Sequence, residues 1–236
     1  MLRPAFEKMG LSKGTRTRFT FLDLYHNLNF NEKGKKTADA TQLYDVTYIG
    51  ELQYSRLLEI DGKALKGRQL TREQRRYDDA VREHSALDDK ARAKIMHQVV
   101  KSIESSLSLG ELSSKYENAI LGHAAAEVCD CVMIESSPLP GGPTRSYKFW
   151  VDTGKQEVVR LNGTLLGDED DMLKGSTFDF QYTYIGGTRL TTHSVIDANL
   201  LMSKKRVRVV TEHTYSNFRK FSVTTTILPV ESNSRQ

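Results

Sequence analysis

Six histidines, two cysteines and scattered carboxylates are the groups with which this chain of 236 residues could do chemistry. Cys129 and Cys131 stand one residue apart in Val128-Cys-Asp-Cys-Val132, a run that reads as strand. There, residues two apart share a face at about 7 Å, beyond the Cα separation a disulfide prefers, so the two are expected not to bridge. A CxC pair can hold a metal, but no second pair and no histidine stands at ligand spacing. Two small buried apolar side chains are the expectation, and cysteine usage leaves the redox compartment open. His123, His193 or His213 could meet a carboxylate in space, yet nothing local supports a catalytic pair, and His84 and His97 fall on different turns of a helix without a ligand cluster. Gly167-Asp-Glu-Asp-Asp171 lacks the glycine at position six and the glutamate at twelve of a calcium loop and reads as a charged turn. In Ser203-Lys-Lys-Arg-Val-Arg208, Val207 and Val209 alternate with Arg206 and Arg208, which fits a solvated or edge-protecting strand better than a phosphate site. No GxGxxG, GxxxxGK[ST], HExxH, GxSxG or CxxC occurs. No catalytic residue, metal site or cofactor is therefore assigned.

The elements that would position these groups are mostly strands. Composition is globular, with 38% hydrophobic and 27% charged residues, and the net charge of +4 makes no demand for nucleic acid. No apolar run is long enough to span a membrane as a helix. The first residues lack the apolar core of a secretion signal, so the chain is expected to be cytosolic or a mature or truncated form of an exported protein. Residues 15–30 and 37–49 form the arms of a hairpin about Asn31–Lys36, and a third strand over 51–60 ends at Asp61-Gly62. In it Tyr54, Leu58 and Ile60 fall on one parity. Thr71-Arg-Glu-Gln74 fits a capping box, and steps of three and four from Tyr77 to Ile103 predict an amphipathic helix over 71–107, with a second N-cap near Asp88-Asp89. Strands follow at about 123–136, 145–152, 156–166, 176–185, 188–202, 204–216 and 219–228. Phe178, Phe180, Tyr182 and Tyr184 alternate with Thr177, Asp179, Gln181 and Thr183, so one face of that strand looks into an apolar interior. The expected class is mainly β (α+β), a large curved antiparallel sheet with a helix on its concave side, and the hollow of such a sheet is a favoured ligand site. Residues 229–236 read as a loose polar tail.

Three stretches carry a resemblance. Tyr48-Ile-Gly-Glu-Leu-Gln-Tyr-Ser-Arg-Leu-Leu-Glu-Ile-Asp-Gly-Lys-Ala-Leu65 followed by a charged helix, Lys148-Phe-Trp-Val-Asp-Thr-Gly-Lys-Gln-Glu-Val-Val-Arg-Leu161, and Glu212-His-Thr-Tyr-Ser-Asn-Phe-Arg-Lys-Phe221 are similar to the corresponding segments of the outer-membrane lipoprotein-sorting (LolA/LolB/RseB-like) superfamily. The resemblance covers most of residues 15–228 and rests on structural motifs, with no catalytic residue among them. It implies an unclosed β-barrel with helices packed on the concave side, in one half-barrel domain over 15–228, preceded by a helical remnant over 1–14. It also implies a periplasmic or cell-envelope location, reached from a start that is truncated here. The implied partner is an apolar ligand or lipoprotein, or else another protein, with no enzyme activity, nucleic acid or membrane span. The candidates for lining the cavity are Phe178, Phe180, Tyr182, Tyr184, Tyr54 and Leu58.

Overall fold

The computed structural model describes residues 19–49, 52–88, 109–126 and 129–220, with 4, 5, 7, 90, 91 and 94. Among them, in chain order, are β1 (Phe19–Phe30), β2 (Lys36–Ile49), β3 (Leu52–Ile60), β4 (Lys63–Ala64), α1 (Gly67–Ala86), α2 (Leu109–Lys115), β5 (Tyr116–Ala126), β6 (Cys129–Pro138), β7 (Arg145–Asp152), β8 (Glu157–Leu165), β9 (Thr177–Ile185), β10 (Thr188–Met202) and β11 (Lys205–Lys220). The strands make one antiparallel sheet of 11, in the order β4-β3-β2-β1-β11-β10-β9-β8-β7-β6-β5. Two runs of consecutive hairpins thus meet where β1 pairs with β11, and the sheet is mainly-β, antiparallel and unclosed, its outermost strands being β4 and β5. Hairpin turns have the backbone their residues allow: Gly186 and Gly187 both take positive φ, 57° and 76°, between β9 and β10.

Most expected strands appear within a residue or two of their predicted ends. The segment expected as one strand over 123–136 is instead the end of β5 and most of β6, and the two strands expected over 204–216 and 219–228 are, as far as Lys220, the single β11. Residues 221–228 and the tail 229–236 lie outside the described residues. Six strand pairs carry a register shift: β1 with β11 and with β2, β2 with β3, β5 with β6, β7 with β8, and β9 with β10. Each extra residue bends and twists the sheet locally, which an open sheet of this width requires.

The helix begins earlier than its pattern suggests. α1 starts at Gly67, and its Lys66 N-cap makes no side-chain cap bond. Thr71 lies inside the first turns, its hydroxyl donating to Gly67 O, and Gln74 donates to Asp78, so the capping box is not formed. Leu87 is extended and ends the helix, while Asp88 accepts from Ala91 N at 2.7 Å, as the second N-cap requires. The remainder of the helix expected over 71–107 lies mostly outside the described residues.

α1 lies along the outer edge of β3. There Leu57 N–H donates to Glu73 (3.1 Å), and Ser55 O accepts from Arg76 (2.5 Å). The helix therefore satisfies edge groups that β4, paired only with Glu59 and Ile60, leaves open. A hydrophobic core lies at the other side of the sheet, where Val132, Ile134, Tyr147, Phe149, Val151 and Val158 of β6–β8 pack with Tyr116, with Leu112 of α2 and with Ala5. Pro4, Ala5 and Glu7 are helical, and the rest of residues 1–14 lies outside the described residues.

The reading of the cysteines is corrected. Cys129 and Cys131 form a disulfide, with Cα atoms 5.3 Å apart instead of the extended-strand spacing. They open β6 beside its connection to β5, and the backbone there is contracted enough to enter the separation a bridge tolerates.

Candidate functional site

Cross-strand pairing decides which side chains share a face, because directly opposed residues point the same way. Phe178 is opposite Ile196 and Gly163, and Phe180 is opposite Ser194 and Leu161. Following the register onward puts Tyr147 and Phe149 of β7, Tyr215 and His213 of β11, Phe21 and Tyr25 of β1 and Tyr44 of β2 on the same face. A bulge at Thr192 keeps Tyr182 opposite Thr191 and Tyr184 opposite Arg189, so all four β9 candidates stay on that face.

The rings form a row. Tyr116, Tyr147, Phe178 and Phe180 follow one another with centroids 5.6, 6.0 and 6.0 Å apart, and Phe180 stacks on Tyr182 at 6.5 Å and 9°. Arg189 covers the far side of Tyr182 at 4.7 Å. Beyond β10 a second group continues: Phe21 meets Tyr215 edge-on at 5.6 Å, and Tyr215 stacks on His213. Phe178 and Tyr182 pack against the core as half-buried residues, while Phe180, also half-buried, is not part of that cluster. Ring separations in this range are those of favourable aromatic pairs.

Burial pushes the phenols of Tyr44 and Tyr147 up, and that of Tyr184 up to about 12, so these phenols stay uncharged at neutral pH. The polar groups of the face include the Asp23–His213 pair, at 2.9 Å, the side chains of Asn27 and Asn29, and Ser194, Thr191 and Arg189 opposite the β9 rings. A pocket of about 810 Å³ is lined by Tyr182 and Tyr184 together with Trp150, Asp152 and Arg160.

The remaining two candidates are elsewhere. Tyr54 pairs with Thr47 and points to the opposite face, where its ring meets Tyr77 of α1 at 5.4 Å and lies under Arg76. Leu58 is the extra residue of the β2/β3 register shift, between Leu57 opposite Tyr44 and Glu59 opposite Leu43. That one residue puts Ile60 and Tyr54 on opposite faces although their parity in the sequence is the same. Phe21, Tyr25, Tyr44 and Tyr215 were not among the candidates. Alternation along β1 and β11 places them, but polar neighbours on the same parity hide the signal.

Besides Asp23–His213, histidines and carboxylates meet on the opposite face. His26 is 2.8 Å from Asp39 and 3.8 Å from Glu212, which is 2.8 Å from His193, forming a chain across β2, β1, β11 and β10. Hydrogen bonding to His193 holds Glu212 below the usual carboxylate range. The groups sit on a partly solvated sheet face. In the loop 167–171, Glu169 accepts from Arg145 and Thr144, and Asp168 accepts from Lys174 N, so these carboxylates serve a charged turn as expected. Arg208 is held by Asp197 at 2.6 Å and lies over Phe30, consistent with a solvated strand face. Among the described residues no group of three or more His, Cys, Asp or Glu is arranged to hold a metal, and no helix is long and apolar enough to cross a membrane.

No protein-family model and no curated protein matches the chain. Solved structures do match over nearly its whole length. A DUF1329 family protein from Desulfovibrio piger is 11% identical over 93% of this chain and 92% of its own, with a TM-score of 0.33. An outer membrane lipoprotein-sorting protein domain from Vibrio parahaemolyticus is 9% identical over 93% of each, with a TM-score of 0.38. The MucA/MucB complex of Pseudomonas aeruginosa matches at 9% identity over 93% of this chain and 99% of that one, with a TM-score of 0.25.

Proposed function

We propose that this protein is a non-catalytic binding protein of the cell envelope that takes an apolar ligand, such as a lipid or a lipoprotein's acyl chain, against the aromatic face of its sheet. The observation that carries the reading is the row Tyr147, Phe178, Phe180 and Tyr182, continuous on one face and extended beyond β10 by Tyr215 and Phe21. Tyr147 anchors the row in the core, the half-buried Phe178, Phe180 and Tyr182 offer an apolar surface, and carrying a ligand on it needs no reactive side chain. The superfamily resemblance of Tyr48–Leu65, Lys148–Leu161 and Glu212–Phe221 supports the same reading, including helices on the concave side and an envelope location. The histidine chain on the other face is read as cross-strand pairing, since each carboxylate in it already accepts a hydrogen bond.

Native mass spectrometry of protein purified from its own host tests this. A retained apolar adduct, lost on delipidation and regained on adding fatty acid, is the expected result. A ligand-free species that takes up no fatty acid, but captures an envelope protein, would replace the proposal with a protein-binding role.

A further inference from the structure

The Cys129–Cys131 bridge spans a single residue, and this bears on what it is for. A disulfide stabilises a fold chiefly by restricting the unfolded chain, an effect that falls with the length of the loop closed and is small for a loop this short. β6 is in any case held on both sides, Cys131 standing in register with Ala124 of β5 and Asp152 of β7. The bridge therefore adds little to holding the strand. Its two sulfurs are also unequal. Cys131 is fully buried, whereas Cys129 is half-buried and lines the pocket of about 810 Å³ together with Trp150, Asp152 and Lys155. Thiol–disulfide exchange needs one sulfur that can be attacked and a second that leaves, and of the two Cys129 is the one bordering a space of side-chain dimensions.

We propose that Cys129–Cys131 is a thiol–disulfide exchange site whose substrate is a peptide segment carrying two cysteine thiols. A substrate thiolate attacks Cys129 Sγ, the Cys129–Cys131 bond breaks, and its electron pair leaves on Cys131 Sγ, which takes up a proton. The substrate's second thiolate then attacks its own sulfur in the mixed disulfide and releases Cys129 as thiolate. Two electrons pass from the substrate, which becomes a disulfide, to the protein, which becomes a dithiol, and no other oxidant is consumed. Pocket walls and the buried position of Cys131 direct attack to Cys129.

The test uses the full chain in glutathione buffers of rising reduced-to-oxidised ratio, with thiol alkylation read by mass spectrometry and the fold followed by circular dichroism. The expected result is opening to the dithiol with the fold unchanged, and oxidation of one equivalent of an added two-cysteine peptide per chain by the disulfide form. Cys131→Ser should take up one glutathione from its oxidised form at Cys129, at least tenfold faster than Cys129→Ser does at Cys131. A disulfide that opens only on unfolding, residues 129 and 131 isolated as free thiols, or a peptide left unoxidised would overturn the proposal; so would equal rates in the two variants.

Discussion

Gly163 has no side chain because the Phe178 ring occupies the place a Cβ would take: the two are opposed across β8 and β9, and an added Cβ would overlap the ring. Gly163→Ala must displace Phe178 from the row, and a cost of about 1–3 kcal/mol follows from overpacking of this kind. A fall in the thermal midpoint together with a changed near-ultraviolet dichroism would show it; an unchanged midpoint would mean that the ring is not held there. Ser176 is fully buried, donates to Leu173 O and accepts from Asn199 N at 2.9 Å. Ser176→Ala strands that amide and should cost about 1–3 kcal/mol in urea unfolding. Little at this scale could be read from sequence. The glycine's tie to Phe178, the proximity of Cys129 to Cys131 and the meeting of His26 with Asp39 depend on register or on local contraction, and neither leaves a trace in residue types.

α1 is the element whose position its own pattern describes least. Its apolar stripe predicts a face laid on the sheet, but its described contacts with β3 are largely polar: Glu73, buried, accepts from Leu57 N and Tyr54 OH and is bound by Arg76. Burial pushes the Glu73 carboxyl up, and the hydrogen bonds from Arg76 and Leu57 outweigh it, leaving the group below its ordinary value. Glu73→Ala should lower stability by about 1–3 kcal/mol and speed hydrogen exchange at the Leu57 amide. Exchange at Leu57 as slow as in the parent would contradict the edge-covering role. Strands were far more legible. The faultless alternation of residues 177–184 marks β9 and its face, because a strand half-exposed on one side imposes a period of two. The register shift at Leu58 is why Ile60 and Tyr54 face opposite sides despite their shared parity: an extra residue reverses every later parity, and no residue type announces it.

For the molecule as a whole, three glutamates bind protons less readily in the folded state than unfolded: Glu169 through Arg145, Glu212 through His193, and Glu73 as above. Depressed folded values mean that the stability they contribute is present above the ordinary glutamate range, around 4.5, and is lost as pH falls through the folded values. The urea midpoint should therefore drop steadily from about pH 5 to pH 3; a midpoint that held or rose would show that these pairs do not stabilise the fold. A single large antiparallel sheet was foreseeable from strand count and turn spacing, and its being unclosed from the superfamily resemblance. That its aromatic side runs across β1, β2 and β11 as well as β9 was not, since only long-range pairing of β1 with β11 joins the two groups. The central claim is that this side takes an apolar ligand, and titration of a fluorescent fatty acid into the parent protein, Phe180→Ser and Leu24→Ser tests it most directly. Leu24 is an exposed apolar residue of β1 on the opposite face. Saturable binding weakened at least tenfold by Phe180→Ser and unchanged by Leu24→Ser is the predicted result, whereas no saturable binding, or equal loss in both variants, would contradict it.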